Sequence, residues 1–318
     1  MTAEYRHLPV MLAEVEAYLA IQASETFLDC TIGGGGHSSY LGRHLGRDGL
    51  LIGMDRDPVA IQAAGDRLDK ELPGLSTRLI NGNFADLDEL LLDLALPGVD
   101  AILFDLGTSS YQLDTQERGF SYAKQAPLDM RMNPGTQTLT AQEVINTLNE
   151  SDLTRILHEY GEERFAARIA KAIVARRSYQ PFLDTLDLAD TIRSAIPAAA
   201  RRKGGNPAKR SFQALRIFVN GELDALENGM EAALRWLNPN GRLVVLSYHS
   251  LEDRIVKQAF ASATVGCTCP PEAVVCVCDN QSVFELLNRR PVAPSPEELI
   301  DNPRSASAKL RAIRRRSL

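Results

Sequence analysis

From Thr26 to Gly107 the chain alternates short apolar runs with longer amphipathic stretches. The apolar runs are rich in Leu, Ile and Phe, which is typical of strands buried on both faces. They are TFLDCTI (26–32), LLIGMD (50–55), STRLINGNF (76–84) and VDAILFDLG (99–107). The segments between them have helical periodicity, and Pro58 stands near a first turn, where proline is tolerated. This strand–helix alternation predicts an α/β fold with a doubly wound, mostly parallel sheet.

The alternation stops after the fourth apolar run. Residues 115–133 are polar and interrupted by glycine and proline, which predicts a long ordered loop. Residues 140–219 have helical periodicity and contain no convincing strand, and a strand pattern resumes only near residue 242. The chain is therefore predicted to form one α/β domain from residues 1–114 and 214–318. An inserted loop and helical domain occupies residues 115–213.

Composition and charge narrow the class of protein. Hydrophobic residues make up 44% of the 318 residues, enough for a sizeable core. No apolar run reaches the roughly 18 residues of a membrane helix, and the first residues lack the layout of a signal peptide. We therefore expect a cytoplasmic enzyme or binding protein.

The net charge of −6 is unevenly distributed. Residues 151–220 contain 13 Lys and Arg against 7 Asp and Glu, a local charge of +6, so the remainder carries −12. A basic segment in an acidic chain predicts an anionic partner that docks on the helical insertion. The alternative is a solvated helical face.

The stretch DCTIGGGGHSSYLGRHLG, Asp29–Gly46, combines the end of a predicted strand with four consecutive glycines and a helix. Such turns hold nucleotides, because backbone without a Cβ allows a ligand to approach closely. Asp55 follows Gly33 by 22 residues and ends the second predicted strand, where a carboxylate can accept hydrogen bonds from ribose. Dinucleotides and S-adenosylmethionine are both bound in this layout. The GxGxxG fingerprint of dinucleotide sites fails here at its last position, and no P-loop lysine follows.

Two further strand ends carry polar or stacking residues. The third apolar run ends in Asn83 and Phe84, which suit the edges and face of an adenine, and the fourth contains Asp105 near its end. A ligand that crosses the carboxyl edge of a parallel sheet meets consecutive strand ends in this way. A dinucleotide-dependent oxidoreductase remains the alternative within the same fold class.

Longer motifs resemble one known family over nearly the whole chain and in the same order. They are HLPVMLAEV, TIGGGGH, DLGTSSYQLD, RGFSY, PLDMRM, GEERFAARIAKAI, SFQALRIFVNGEL, GRLVVLSYHSLEDRIVK and NPRSASAKLR. They resemble the RsmH (MraW) family of S-adenosylmethionine-dependent methyltransferases, which act on N4 of a cytosine in small-subunit (16S) ribosomal RNA, at the decoding region. The resemblance implies a Rossmann-like methyltransferase domain with an inserted helical domain.

The resemblance also assigns a cofactor pocket. It implies that Gly35, Gly36 and His37 contact the methionine part of S-adenosylmethionine. Asp55 is expected to bind the ribose, and Phe84 is expected to lie against the adenine. Asp105 and Gln112 are expected to complete the pocket. One departure concerns Gln112, because Tyr111 stands where the family usually has a proline.

The amine on C4 of cytosine is a poor nucleophile, because its lone pair is delocalised into the ring. Hydrogen-bond acceptors on the amine protons would stabilise the positive charge that develops during transfer. The candidates are Asp105, the hydroxyls of Ser109 and Ser110, and backbone carbonyls of that loop. His249 could later accept a proton, or it could make a structural hydrogen bond at a strand end.

The basic insertion is the expected surface for RNA phosphates, because the target base must leave its stack while the RNA is held nearby. The predicted phosphate contacts are Arg176, Arg177, Arg201, Arg202, Lys203, Lys209 and Arg210. Arg168 and Lys171 are expected to pair instead with Glu162 and Glu163. The terminal Arg311, Arg314, Arg315 and Arg316 form either a second phosphate contact or a frayed end.

Four of the five cysteines form the cluster CTCPPEAVVCVC. Cys267, Cys269, Cys276 and Cys278 could close around one tetrahedral, structural zinc, or they could form a metal-free loop. A different class of function also stays open, namely a non-catalytic RNA-binding or assembly factor that uses the cofactor pocket as a sensor. Activity on small ribosomal subunits would separate that class from an enzyme.

Overall fold

A computed structural model describes residues 9–107, 115–201, 205–266, 278 and 281–317. The chain forms two units. The first consists of Met1–Gly107 and Leu223–Leu318, and the second, Thr108–Glu222, is inserted between these two segments. The first unit contains the sheet and the second contains helices. Within the described residues, no helix is both long and apolar enough to span a membrane.

Seven strands form a single sheet in the first unit. They are β1 Thr26–Asp29, β2 Leu50–Asp55, β3 Ser76–Asn81, β4 Val99–Asp105, β5 Leu237–Ser247, β6 Phe284–Leu286 and β7 Lys309–Arg315. Their order is β3-β2-β1-β4-β5-β7-β6; β1 to β5 are parallel, and β7 is antiparallel to both of its neighbours. The strand order reverses between β1 and β4, and ligands of such sheets bind beyond the carboxyl ends of the strands at that point.

Thirteen α-helices lie in the described residues. They are α1 Leu12–Leu19, α2 Gly36–Leu41, α3 Pro58–Glu71, α4 Leu87–Asp93, α5 Ala141–Thr147, α6 Glu150–Glu159, α7 Ala166–Arg177, α8 Thr185–Ala195, α9 Ala198–Arg201, α10 Lys209–Asn220, α11 Glu222–Trp236, α12 Ser250–Ala263 and α13 Pro296–Asp301. Helices α5 to α10 belong to the insertion.

The sheet is covered on both faces, as its apolar runs predict. Side chains alternate between the faces along a strand, so Phe27 packs with α1, α2 and α3 while Leu28 packs with α4, α11 and α12. In β2, Leu51 and Ile52 divide in the same way. The doubly wound α/β fold expected from the sequence is confirmed.

The insertion has a hydrophobic core of its own, built from α5 to α8 and α10. Phe212 and Leu215 of α10 are buried in this core. The insertion therefore extends to Glu222, not to residue 213 as the sequence pattern suggested, because α10 packs within it. Its other boundary falls after Gly107, and residues 108–114 lie outside the described part of the chain.

Two features of the sheet differ from the prediction. Strand β5 begins at Leu237, five residues before the predicted resumption near residue 242. The carboxyl-terminal segment is not frayed, since it forms β7 and pairs with β5 from Arg242 to Ser247. The basic composition of that segment concealed the strand, although its apolar positions Leu310, Ala312 and Ile313 are fully buried.

Candidate active site

The turn between β1 and α2 contains the four consecutive glycines, residues 33–36. Gly35 has a φ of +74°, and a Cβ there would lie 3.3 Å from Cα of Ala64 in α3. Glycine therefore allows both the left-handed backbone and the close contact with α3. Gly34 is exposed, and a Cβ at that position would meet no atom within 4 Å. The turn packs on the protein at Gly35 and leaves open space at Gly34, where a ligand can approach the backbone.

Asp55, the last residue of β2, reaches this turn. Its Oδ2 accepts a hydrogen bond from the backbone N–H of Gly33 at 2.9 Å, and its Oδ1 accepts one from the N–H of Asp57 at 2.9 Å. Burial is the largest cause that raises the pKa of Asp55 to about 6. Each carboxylate oxygen has a further lone pair, so the ionised side chain can still accept hydrogen bonds from two hydroxyl groups.

Asp29, at the end of β1, is a further member of the site that the sequence prediction did not include. It is buried, and its Oδ2 accepts a hydrogen bond from the Ser38 hydroxyl at 2.7 Å. The N–H of Thr31 donates to its Oδ1 at 3.1 Å. Burial is the largest cause that raises the pKa of Asp29 to about 6. These bonds join the end of β1 to the first turn of α2.

Asp105 ends β4 and is held by several groups. The Tyr248 hydroxyl donates to its Oδ1 at 2.6 Å, and its backbone N–H donates to the Thr31 hydroxyl at 2.6 Å. Burial raises the pKa of Tyr248 well above its usual range, so the hydroxyl keeps its proton and acts as the donor. Nδ1 of His37 lies 3.5 Å from Oδ2 of Asp105. The other ring nitrogen, Nε2, donates to the Val10 carbonyl at 2.9 Å, since a carbonyl can only accept.

Three carboxyl groups thus meet at the carboxyl edge of β1, β2 and β4. Beyond burial and hydrogen bonding, His37 lowers the pKa of Asp29 and the charge of Asp105 raises it. The charges of Asp57 and then Asp29 raise the pKa of Asp55. The mutual repulsion is relieved by a positively charged ligand and made worse by a phosphate. This charge pattern favours a sulfonium cofactor and disfavours the pyrophosphate of a dinucleotide.

Phe84 follows β3 and is half-buried. Its ring makes an edge-to-face contact with Phe104, the residue before Asp105, at 5.4 Å between centroids. A Cβ on Gly229 of α11 would lie 2.8 Å from the Phe84 ring, so this helix approaches the ring closely. The contacts hold Phe84 beside the end of β4, and its role toward adenine stays a prediction.

His249 has a structural position. It is the N-cap of α12, where its Nδ1 accepts a hydrogen bond from the N–H of Glu252 at 3.4 Å. Oε2 of Glu252 in turn accepts from the N–H groups of Tyr248 and His249, at 2.8 and 3.2 Å. Nε2 of His249 lies 3.0 Å from Oε1 of Glu252, but the geometry does not make it a hydrogen bond. His249 therefore caps the start of α12. This structural role explains its position without a role in proton transfer.

Several predicted residues lie outside the described part of the chain. Among the candidate catalytic and cofactor residues these are Ser110 and Gln112, together with Ser109 and Tyr111. Arg202 and Lys203 of the predicted RNA contacts, and Cys267, Cys269 and Cys276 of the cysteine cluster, also fall there. Cys278 is described and half-buried.

Two of the arginines that were predicted to contact phosphates bind groups within the insertion. Arg176 donates to the Gln180 carbonyl at 2.6 Å and pairs with Asp187 at 2.5 Å. Arg177 donates to the carbonyls of Ile145 and Leu148 at the end of α5. Both guanidinium groups are therefore occupied by groups of the protein.

The other described cations of the insertion are more exposed. Arg201, Lys209 and Arg210 are exposed, and Nη1 of Arg210 donates to the Glu162 carbonyl at 3.0 Å. The expected pairing of Arg168 and Lys171 with Glu162 and Glu163 is wrong, since no such ion pair joins these described residues. Glu163 is buried instead, and its Oε1 accepts a hydrogen bond from the N–H of Phe165 at 2.9 Å.

The terminal arginines interact with groups of the sheet unit. Arg311 pairs with Asp253 of α12 at 2.7 Å, Arg314 pairs with Glu285 of β6, and Arg315 donates to the Leu237 carbonyl at 2.6 Å. Arg316 lies 3.7 Å from Glu285. The carboxylates and carbonyl occupy these side chains, which argues against the predicted second phosphate contact.

The chain is similar to known proteins over nearly its whole length. A sequence model of the MraW methylase family matches residues 4–316. The protein named ribosomal RNA small subunit methyltransferase H from Heliobacterium mobile is 50% identical over 313 residues, which cover 98% of this chain and 99% of its own. The protein of the same name from Geobacter sulfurreducens is 50% identical over 311 residues, covering 97% and 98%. A solved rRNA methylase from Streptococcus thermophilus covers 96% of this chain and 94% of its own at 11% identity, with a TM-score of 0.40.

Proposed function

Because the chain belongs to the MraW methylase family, we infer that it transfers a methyl group from S-adenosylmethionine to N4 of a cytosine in small-subunit (16S) ribosomal RNA. The family model matches residues 4–316, and relatives that are 50% identical carry the name ribosomal RNA small subunit methyltransferase H. The chain is therefore an S-adenosylmethionine-dependent rRNA methyltransferase. We propose that its target base lies at the decoding region and that its substrate is the RNA within a small ribosomal subunit, in the cytoplasm.

We propose that the cofactor lies across the carboxyl ends of β1, β2 and β4. Asp55 supports this proposal, because it is fixed by two backbone N–H groups and still has lone pairs for the two ribose hydroxyls. The open space at Gly34 leaves room for the rest of the ligand beside Gly35, Gly36 and His37. Phe84, with Asn83 before it, is proposed to contact the adenine, and Gln112 to complete the pocket.

The sulfonium of the cofactor supplies a methyl group with a good leaving group already attached. The protein mainly has to align the amine with that methyl group, which can lower a barrier by several kcal/mol. Asp105 is proposed to accept a hydrogen bond from the cytosine amine and to stabilise its developing positive charge. Tyr248 fixes Oδ1 of that carboxylate, and His37 lies beside Oδ2. Ser110 is the second proposed acceptor.

The single observation that carries the proposal is the pairing of the glycine turn with Asp55, next to the buried Asp29 and the half-buried Asp105. A dinucleotide would place its pyrophosphate near these negative charges. A sulfonium with an ammonium group would instead be attracted to them. The same arrangement would serve a non-catalytic sensor, so the test must measure transfer.

The test is incubation with labelled S-adenosylmethionine and small ribosomal subunits from cells that lack this methylation. We expect one N4-methylated cytosine by nucleoside mass spectrometry. Asp105→Asn should lower kcat about a hundredfold or more, the usual loss when one transition-state hydrogen bond is removed. The control is Asp93→Asn, an exposed carboxylate at the end of α4. Cofactor binding without transfer to subunits or to naked RNA would contradict the catalytic function and support the sensor.

A further inference from the structure

Helix α7 has one buried and one exposed face. Ala166, Ile169, Ala170 and Ile173 are buried in the core of the insertion. Arg168, Lys171 and Ala175 are exposed. Residues three and four apart are neighbours on a helix surface, so the three exposed residues lie along one line. Tyr179 follows the helix, its N–H donates to the Arg176 carbonyl at 3.2 Å, and it is also exposed. We call these four residues the α7 face.

The two cations of the α7 face are available for a ligand. Two other exposed arginines of the insertion are paired with acids: Arg155 lies 3.4 Å from Glu159, and Arg193 lies 2.6 Å from Asp190. Within the described residues, neither Arg168 nor Lys171 makes an ion pair or a side-chain hydrogen bond. The sequence of α7, AARIAKAIVARR, contains no acid that could neutralise them. Both side chains are exposed, and α7 itself places no acid beside them.

Two more cations stand at the amino-terminal end of this line. Arg164 is exposed in the turn before α7, with its guanidinium 5.7 Å from the centroid of the Phe165 ring. The hydrogen bond from Arg210 to the Glu162 carbonyl, at 3.0 Å, places a second guanidinium at the same turn. This turn also contains the exposed acid Glu162, and the basic row continues from Arg164 through Arg168 to Lys171. Such a row attracts a chain of phosphates.

Tyr179 places an exposed aromatic ring near the other end of the row. Tyr179 is 90% exposed, more than any other large hydrophobic residue in the described part of the chain. It makes no aromatic contact within that part of the chain. Proteins that bind single-stranded nucleic acids stack bases on exposed aromatic rings close to basic side chains.

The spacing fits a few nucleotides. With a rise of about 1.5 Å per residue, Arg168 and Lys171 lie about 4.5 Å apart along the axis, and Tyr179 lies about 12 Å beyond Lys171. A stacked strand advances about 3.4 Å per nucleotide. The distance from Lys171 to Tyr179 therefore corresponds to about three or four nucleotides.

We propose that the α7 face binds a single-stranded segment of the rRNA substrate, with phosphates on Arg168 and Lys171 and one base stacked on Tyr179. This inference rests on the proposed function, which supplies RNA as the partner. It assigns the RNA contact to side chains that the protein leaves unused, in place of Arg176 and Arg177. Stacking is tolerant of base identity, so the α7 face holds the RNA without selecting its sequence.

The test is fluorescence anisotropy with a labelled single-stranded 12-nucleotide RNA, titrated at several salt concentrations. The double variant Arg168→Gln/Lys171→Gln should bind more weakly. Its slope of log affinity against log salt should be smaller by about 1.4, because each neutralised phosphate of a single strand contributes about 0.7. The matched control is Arg193→Gln, which removes a paired cation from α8 of the same insertion.

Tyr179→Ala should weaken RNA binding about tenfold, the usual loss of one stacked base, without changing the salt slope. Tyr179→Phe keeps the ring and should restore the affinity. If the double variant behaves like Arg193→Gln, or if Tyr179→Phe is as weak as Tyr179→Ala, the proposal is overturned. These losses should appear with the affinity for S-adenosylmethionine unchanged.

Failure of the α7 face and failure of the proposed function are distinguishable. Wild-type protein that methylates small subunits, together with variants that bind RNA as the wild type does, would overturn the α7 face alone. Wild-type protein that transfers no methyl group would count against the function, while the RNA affinities of the variants would still decide the role of the α7 face.

Discussion

At the residue scale, the site depends on Asp29 and Asp55, two carboxyl groups whose pKa values burial raises. The pKa values of Asp29 and Asp55 are about 6, above the 3.8 of an ordinary aspartate, with burial as the largest cause. A raised folded-state pKa means that the folded protein binds protons more tightly than the unfolded chain. Their contribution to stability is therefore present below about pH 4 and is lost as pH rises through about 6. Above that pH the folded protein holds charges at a cost, which a cationic ligand would offset.

Cofactor affinity should depend on the charge of Asp55. A protonated carboxyl group has one acceptor fewer for the ribose hydroxyls, so affinity should fall as pH decreases below about 6. Asp55→Asn should weaken binding at pH 8 and make the pH dependence shallower. Isothermal calorimetry between pH 5 and 8 would measure both effects. The control is Asp69→Asn on the exposed face of α3, and a wild-type affinity that is constant over this range would refute the expectation.

Tyr248 should act through Asp105. Tyr248→Phe removes a hydrogen bond of 2.6 Å to a carboxylate, a type of bond worth about 1.5–3 kcal/mol. We expect kcat to fall about ten- to hundredfold, because the orientation of Asp105 is lost. The acidic limb of the pH–rate profile should move to higher pH, since the ionised Asp105 loses a donor.

A matched control for this variant exists in the same unit. Tyr40→Phe removes a hydroxyl that donates to the Glu16 carboxylate at 3.2 Å, away from Asp105. It should leave the pH–rate profile where it is. A purely structural role for Tyr248 would lower stability without moving the profile, and that outcome would contradict the expectation.

At the scale of elements, several residues chosen for chemistry turn out to begin or end helices. His249 and Glu252 form a capping box at the start of α12, and Arg177 satisfies carbonyls at the end of α5. Helix ends leave backbone groups without intrahelical partners, so polar side chains near them are recruited as caps. A histidine or an arginine read from the sequence alone looks the same in either role.

His249 should therefore matter for stability more than for rate. His249→Ala should lower the free energy of unfolding by about 1 kcal/mol, the usual loss of an N-cap side chain. His249→Asn should restore most of it, because asparagine is a good N-cap. Urea denaturation and steady-state kinetics would check both. A thousandfold loss of kcat in a folded His249→Asn variant would instead support a role in proton transfer.

At the scale of the whole molecule, the chain keeps the sheet and the basic helices in separate cores. The sheet unit is made of two sequence segments, and its last strand, β7, lies between β5 and β6. The insertion, residues 108–222, contains 16 Lys and Arg against 13 Asp and Glu, a net charge of +3, while the rest of the chain carries −9. Its helices pack among themselves. The charge asymmetry that the sequence shows is thus a property of one folding unit.

The sheet should not form without its last strand. A chain that ends at Ser307 lacks β7 and leaves the edges of β5 and β6 unpaired, together with the buried Leu310 and Ile313. We expect no cooperative thermal transition and an insoluble product. A chain that ends at Arg316 retains β7 and should unfold as the full chain does. Circular dichroism melts would compare the two, and a cooperative melt of the shorter chain would show that β7 is dispensable.

Sequence alone determined the first four strands, the helical insertion, the glycine turn with Asp55, and the family. These features depend on local periodicity, on turn residues and on motifs that are contiguous along the chain. The packed structure was needed to show that Tyr248 holds Asp105, which is 143 residues away, and that a basic terminal segment forms a strand. It also decided which arginines are already occupied by carbonyls and carboxylates. Contacts between distant residues leave no periodic trace in the sequence, because they arise only when separate elements pack against each other.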